Sequence, residues 1–307
     1  MLRDTHPRLA QAAGPLLGYL DDPTVIEVRV TSAGAVFVVR FGLGKERVEG
    51  CPATTLDAFL ALVADMVGAE WRDSSPRLHA ANPQLGLRIQ AGRPPISDAP
   101  WMVCRKHPQQ VFPLEDFETK GILTPGQRRL IEDAVQQRRT VLIAGAVGSA
   151  KTSLTNALLH TLKDSRERIV ILEDDPELRC DAAEVETIHT SEHPLITMRD
   201  LGKDVLRMSP DRIVVGEVRD GAALDMLKAF QTGHPGLCTV HASSAQETLT
   251  RLEQLVQEVS VDPQHHLIGE AIDMIVHMEQ FARSWRVTDI LAVDGWDGAT
   301  YNTRSLA

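Results

Sequence analysis

Cysteine is scarce and scattered in this chain of 307 residues. Cys51, Cys104, Cys180 and Cys238 show no C-x-x-C spacing and fall far below the density of a disulfide scaffold, which argues for a reducing compartment and against a zinc site. Long apolar runs are missing as well. The N-terminal stretch Leu9 to Leu20 is broken by Gln11 and closes on Asp21 and Asp22, so it reads as a helix and not as a signal peptide or membrane span. Positive charge is in deficit: the formal net charge is −10, which argues against strong direct nucleic-acid binding, since affinity for phosphate backbones comes mainly from clustered Lys and Arg. What remains, 43% hydrophobic and 24% charged residues, is the composition of a soluble globular protein of one large or two ordinary domains.

The most informative stretch is RRTVLIAGAVGSAKTSLTNALLHTL, residues 138–162. Val141, Leu142 and Ile143 are too few for a helix and suit a buried strand, whereas Leu154, Leu158, Leu159 and Leu162 share one helical face. Between them lies a small-residue loop, Gly145, Ala146, Val147, Gly148, Ser149 and Ala150, followed by Lys151, Thr152 and Ser153. Backbone N–H groups of such a loop converge on one point, and the following helix aims its positive dipole end there, so the loop calls for an anion. Lys151 would reach the β and γ phosphates of a nucleotide and the Thr152 hydroxyl would complete a Mg²⁺ shell. The Gly-x-x-x-x-Gly-Lys-Ser/Thr pattern is met except at Ala150, where a glycine is expected. A Cβ there costs roughly 1–2 kcal/mol if the backbone is left-handed.

Further along, three strands end in polar residues. RIVILEDD ends in Glu173, Asp174 and Asp175, at the sheet end where open α/β proteins place their ligands. Glu173 is expected to act on Mg²⁺ or on the attacking water, while Pro176 suggests that Asp174 or Asp175 caps a helix. RIVVGEVRD ends in Glu217, with Gly216 where a Walker-B strand carries Asp and Arg219 two residues on. GLCTVHASS carries His241 at its end, placed to hydrogen-bond a γ-phosphate or nearby water.

Before residue 113, an N-terminal helix, the strands VIEVRV and VFVVRF, a helix that Thr54 could cap, and the strands RLHAAN, GLRIQA and WMVCRK mix without βαβ rhythm and predict a small α+β domain over 1–112. Arg88 and Arg105 within it read as solvated edge-strand charge. Pro113, Gly121, Pro125 and Gly126 place a linker at 113–124, ahead of a second domain over 125–307. Beyond Ala245 the alternation of apolar and charged residues predicts surface helices or strands, including HLIGEAIDMIVHME, and RSWRVTDILAVDGWDG reads as a terminal hairpin.

Taken together and in this order, GAVGSAKT, ILEDDPEL, GEVRD and GHPGLCTVHASS resemble the secretion-ATPase superfamily of type II and type IV secretion. The resemblance runs from about Asp22 to about Val293, is strongest between Arg139 and Leu255, and is nearest the conjugal-transfer branch, since the paired C-x-x-C motifs of the type II assembly ATPases are absent. It implies an α/β fold with a RecA-like P-loop NTPase C-terminal domain and a smaller α+β N-terminal domain. It further implies a homo-hexameric ring, ATP with Mg²⁺ bound between the domains, partners among inner-membrane components of a secretion or conjugation apparatus, and a cytoplasmic place that includes the inner face of that membrane. By the same resemblance Lys151 and Thr152 are Walker-A residues and Glu173 belongs to the Asp box. Glu217 and Arg219 belong to Walker B, His241 to the His box, and Arg88 and Arg105 to the N-terminal-domain arginines that look toward the phosphates. Ala150 motivates an alternative, a nucleotide-gated structural ring subunit with weak or no hydrolysis.

Overall fold

In a computed structural model the described residues are 6–82, 85–106, 111–192, 194–281 and 284–307. The chain divides into two compact units, Met1–Gln110 with Ala282–Ser284, and Val111–Phe281 with Trp285–Ala307.

The first unit is an antiparallel sheet with helices on one face. Its elements are α1 (Pro7–Ala13), a 3₁₀ turn, α2 (Leu17–Asp21), β1 (Val25–Val30), β2 (Val36–Arg40), β3 (Gly44–Val48), α3 (Ala53–Met66), β4 (Arg77–Asn82), β5 (Leu87–Gly92) and β6 (Trp101–Lys106), with strand order β3-β2-β1-β6-β5-β4. Alternation decides the faces: Val28, Val38, Ile89, Met102 and Cys104 join Leu9, Leu16, Leu56, Phe59 and Leu60 of the helices in one core. Pro52, not Thr54, precedes the first turn of α3, and no side chain caps it. Proline sets an extended entry two residues earlier than the hydroxyl would. Arg88 and Arg105 sit directly opposite each other on β5 and β6. Both strands have neighbours on either side, so the edge-strand expectation is corrected.

The second unit contains α4 (Leu114–Thr119), α5 (Pro125–Gln136), β7 (Val141–Gly145), α6 (Lys151–His160), β8 (Arg168–Glu173), β9 (Glu184–His189), the short pair β10 (Ser191–Glu192) and β11 (Leu195–Ile196), and α7 (Met198–Asp204). After these come β12 (Arg212–Val218), α8 (Ala222–Gln231), β13 (Gly236–Val240), α9 (Ala245–Gln257), α10 (His265–Ala271), β14 (Met274–Phe281), β15 (Ser284–Trp296) and β16 (Tyr301–Ser305). The sheet order is β16-β15-β14-β7-β13-β12-β8-β9. From β14 to β9 every pairing is parallel, and β15 with β16 is antiparallel.

The segment expected to be a linker, 113–124, belongs to this unit. Leu114 and Phe117 are buried, which gives the short helix α4 an apolar side to pack. Thr124 then caps α5 through a capping box with Gln127. The expected surface position of MIVHME is also corrected. Met274 to Met278 are all buried, because β14 pairs with β7 in the middle of the sheet and is covered on both faces.

Candidate nucleotide-binding site

Four parallel strands, β7, β13, β12 and β8, lie side by side in the order that their sequence positions do not suggest, and their carboxyl ends form one edge. The loop after β7 opens this edge. Ala146, Val147 and Gly148 are exposed at its crest. Gly145 (φ 153°) runs so close to β14 that a Cβ would collide with the Met278 carbonyl. Gly148 has φ 77°. Ala150 is the residue before α6 and sits at φ 67°, ψ 26°, the left-handed conformation that its glycine counterpart would hold without strain.

No side chain caps α6, and its first hydrogen bond to the turn before it is Leu154 N to Ala150 O, 3.0 Å. The amides of Lys151, Thr152 and Ser153 therefore precede the intrahelical ladder, as an anion site requires. The Lys151 side chain is 7% exposed and its ammonium donates to the carbonyls of Gly145 and Ala146, 3.0 Å each, and lies 3.0 Å from His241 Nδ1.

His241 links the loop to β12. Its Nδ1 is also 3.2 Å from the Gly145 carbonyl, and its Nε2 is 2.5 Å from Glu217 Oε1. That approach is off the hydrogen-bond axis, so Oε1 has no aligned donor. The register of β12 against β13 shifts between Val215 and Val218, and this bulge carries Glu217. Glu217 Oε2 accepts from Arg219 Nε at 2.7 Å, and Arg219 Nη1 stands 3.6 Å from Asp174 Oδ2. Gly216 now has a physical reason: a Cβ there would come within 3.0 Å of the Glu173 Cβ, so the missing aspartate leaves room for the neighbouring glutamate.

Glu173, at the end of β8, is 3% exposed. Its Oε2 accepts from the Glu177 and Leu178 amides at 3.0 Å, while Oε1 has no hydrogen-bond partner. Burial pushes its pKa up to about 7, and the two backbone amides only partly oppose that rise. No helix follows Asp174 and Asp175, so the capping expectation is corrected. Asp174 instead accepts from Thr190 Oγ1 at 3.0 Å.

Three neighbours were not singled out in the sequence. Asn156 on α6 donates to the Glu177 carbonyl (3.0 Å) and accepts from the Arg179 amide (2.8 Å), tying the acidic loop to the helix. His189 Nε2 lies 3.5 Å from Glu173 Oε1. Trp285 donates to the Gly148 carbonyl. A polar residue inside a leucine-rich helix was the available signal for Asn156; the other two have none in the local sequence.

The site fits a triphosphate with Mg²⁺ on three observations. Ser149 Oγ, Glu173 Oε1 and Glu217 Oε1 are buried polar atoms without hydrogen-bond partners, the glycine positions leave a backbone cradle, and the donors gather on one sheet edge. Among the described residues no three His, Cys, Asp or Glu side chains form a metal-holding group. Mg²⁺ is usually held by one or two protein oxygens with phosphates and waters, so Thr152, Glu173 and Glu217 suffice in kind. Arg88 and Arg105 belong to the other unit, where Arg105 Nε is 3.0 Å from Glu27 Oε2.

A parallel sheet with a phosphate loop on one strand and carboxylates and a histidine on the adjoining strand ends defines a class, the P-loop NTPases on a RecA-like sheet. A family model described as "Type II/IV secretion system protein" matches residues 73–284, more than half of the chain, and the chain belongs to that family, the type II/IV secretion ATPases. It is 36% identical to the conjugal transfer protein TrbB of Rhizobium radiobacter over 99% of its own length and 96% of that protein's. Identity with the type IV secretion system protein VirB11 of Brucella suis is 30%, over 86% and 83% of the two chains. The X-ray structure of the Yersinia pseudotuberculosis ATPase DotB, 16% identical, is similar in fold, with a TM-score of 0.66 over 92% of this chain and 78% of that one. Among the described residues no helix is long and apolar enough to cross a membrane.

Proposed function

We propose that this chain hydrolyses ATP to power assembly or substrate transfer in a type IV secretion or conjugation system. Its working form is a homo-hexamer in the cytoplasm, engaged with inner-membrane components of the apparatus. The relatives named for conjugal transfer and type IV secretion support the setting. The contact chain from Lys151 through His241 to Glu217, with Glu173 on the adjoining strand, carries the chemical reading.

Phosphoryl transfer depends mainly on positioning and on electrostatic stabilisation of spread charge. Lys151 exchanges its loop carbonyls for β- and γ-phosphate oxygens, and the amides from Gly145 to Ser153 line the phosphates. Mg²⁺, held by Thr152 with Glu173 and Glu217, would neutralise charge on the β and γ oxygens when bound. Glu173 or Glu217 orients the attacking water, His241 hydrogen-bonds the γ-phosphate or that water, and Arg219 fixes the Glu217 carboxylate. Arg88 and Arg105 are assigned additional charge toward the same phosphates.

Steady-state ATP turnover of the purified protein beside Lys151→Ala tests this. Loss of hydrolysis in the variant is expected; equal turnover would overturn the assignment. The left-handed Ala150 favours a second reading, a ring subunit that binds ATP for structure and turns it over poorly. A near-zero wild-type rate rescued by Ala150→Gly selects that reading, and brisk wild-type turnover dismisses it.

A further inference from the structure

Trp285 opens the buried part of β15, 1% exposed, and its indole Nε1–H donates to the Gly148 carbonyl at 2.7 Å across 137 positions of sequence. A buried indole N–H needs an acceptor. The acceptor here is a carbonyl in the middle of an anion cradle, at a glycine with φ 77°. In a trans peptide the C=O and the next N–H point in opposite directions. Holding the Gly148 carbonyl on the indole therefore commits the Ser149 amide to the other side, where it donates to the Ala146 carbonyl at 3.3 Å, the same carbonyl that accepts from the Lys151 ammonium and that the lysine gives up for phosphate. If this peptide flipped, a partial negative charge would turn toward the phosphates in place of a donor.

We propose that Trp285 is a positioning residue for nucleotide binding: its indole N–H locks the Gly148–Ser149 peptide so that the loop presents amides, not a carbonyl, to phosphate. The proposal rests on the ATPase reading above. The indole thus adds a second brace to the one that strand pairing supplies: β14 meets the start of the loop, with the Met278 carbonyl close against Gly145, and β15 holds its middle through the Trp285 indole on Gly148.

Trp285→Phe keeps an aromatic ring in the core and removes the N–H. Its affinity for ADP with Mg²⁺, measured by calorimetry, should fall about three- to tenfold, as expected for one lost hydrogen bond. In turnover assays KM should rise more than kcat falls. A tryptophan that merely filled the core would lower the melting temperature and leave the ADP affinity unchanged. The wild-type chain labelled with 5-fluorotryptophan gives a second readout. Adding ADP with Mg²⁺ should move the Trp285 fluorine line, while the line of Trp71, whose indole donates to Asp57 at 2.9 Å in the first unit, serves as reference. Unchanged ADP affinity in the variant, with a Trp285 line that ADP does not move, overturns the proposal and leaves the ATPase reading standing. Failure of the wild-type chain to bind ADP at all overturns both.

Discussion

Replacing Ala150 with glycine tests the phosphate loop at its one departure from pattern. At φ 67° the alanine Cβ crowds the backbone, a cost of roughly 1–2 kcal/mol. Glycine removes that cost but loosens the unfolded chain, which gives back about 0.4–1 kcal/mol. The net gain is about 1 kcal/mol, a rise of about 2–4 °C in the melting temperature of a domain of this size. Ala150→Val sets the opposite sign, because a β-branched side chain at positive φ is a true outlier. Calorimetric melting of the three proteins without nucleotide should rank glycine above alanine above valine. A glycine variant that melts below wild type, or a valine variant that matches it, would refute the left-handed assignment at this position. Turnover of the same proteins then reads function separately from stability.

Glu173 makes a pH prediction with a definite sign. Its folded pKa of about 7 lies above its ordinary 4.5, so the folded protein holds a proton that the unfolded chain has released across that window. The stability this contributes is full below about pH 4.5 and is lost as pH rises through 7, a change on the order of 3 kcal/mol. Glu173→Gln should gain on wild type between pH 5 and pH 8 in denaturant titrations; parallel curves would contradict the burial argument. If Glu173 orients the water as its carboxylate, wild-type turnover rises through pH 7, and the Gln variant is slow throughout. Asn156→Ala leaves the Glu177 carbonyl and the Arg179 amide without their partner, which should cost about 1–3 kcal/mol by chemical unfolding. Activity should fall as well, since the same loop supplies both amides that hold Glu173; a variant with wild-type stability and rate would show that the tie does not matter.

The sequence determined the parts whose cause is local. Val141 to Ile143, Ile169 to Leu172 and Ile213 to Val215 are short apolar runs because each strand is covered on both faces, and the loop, Lys151 and the carboxylates follow directly from them in the chain. Alternation in VIEVRV and VFVVRF equally marks a sheet with one face in the core. Tertiary structure decided what depends on neighbours remote in sequence. Strand order brings β13 between β7 and β12, so His241 reaches both Lys151 and Glu217. Pairing with β7 buries Met274 to Met278, whose His277 is satisfied by Thr288 at 2.9 Å; the polar residue that suggested a surface strand is thus accommodated inside. Whether position 150 is left-handed, why Gly216 stands beside Glu173, and which carbonyl the Trp285 indole finds are matters of close approach across the fold. Local pattern records what a residue can do, and only packing sets which partner, solvent or burial it meets.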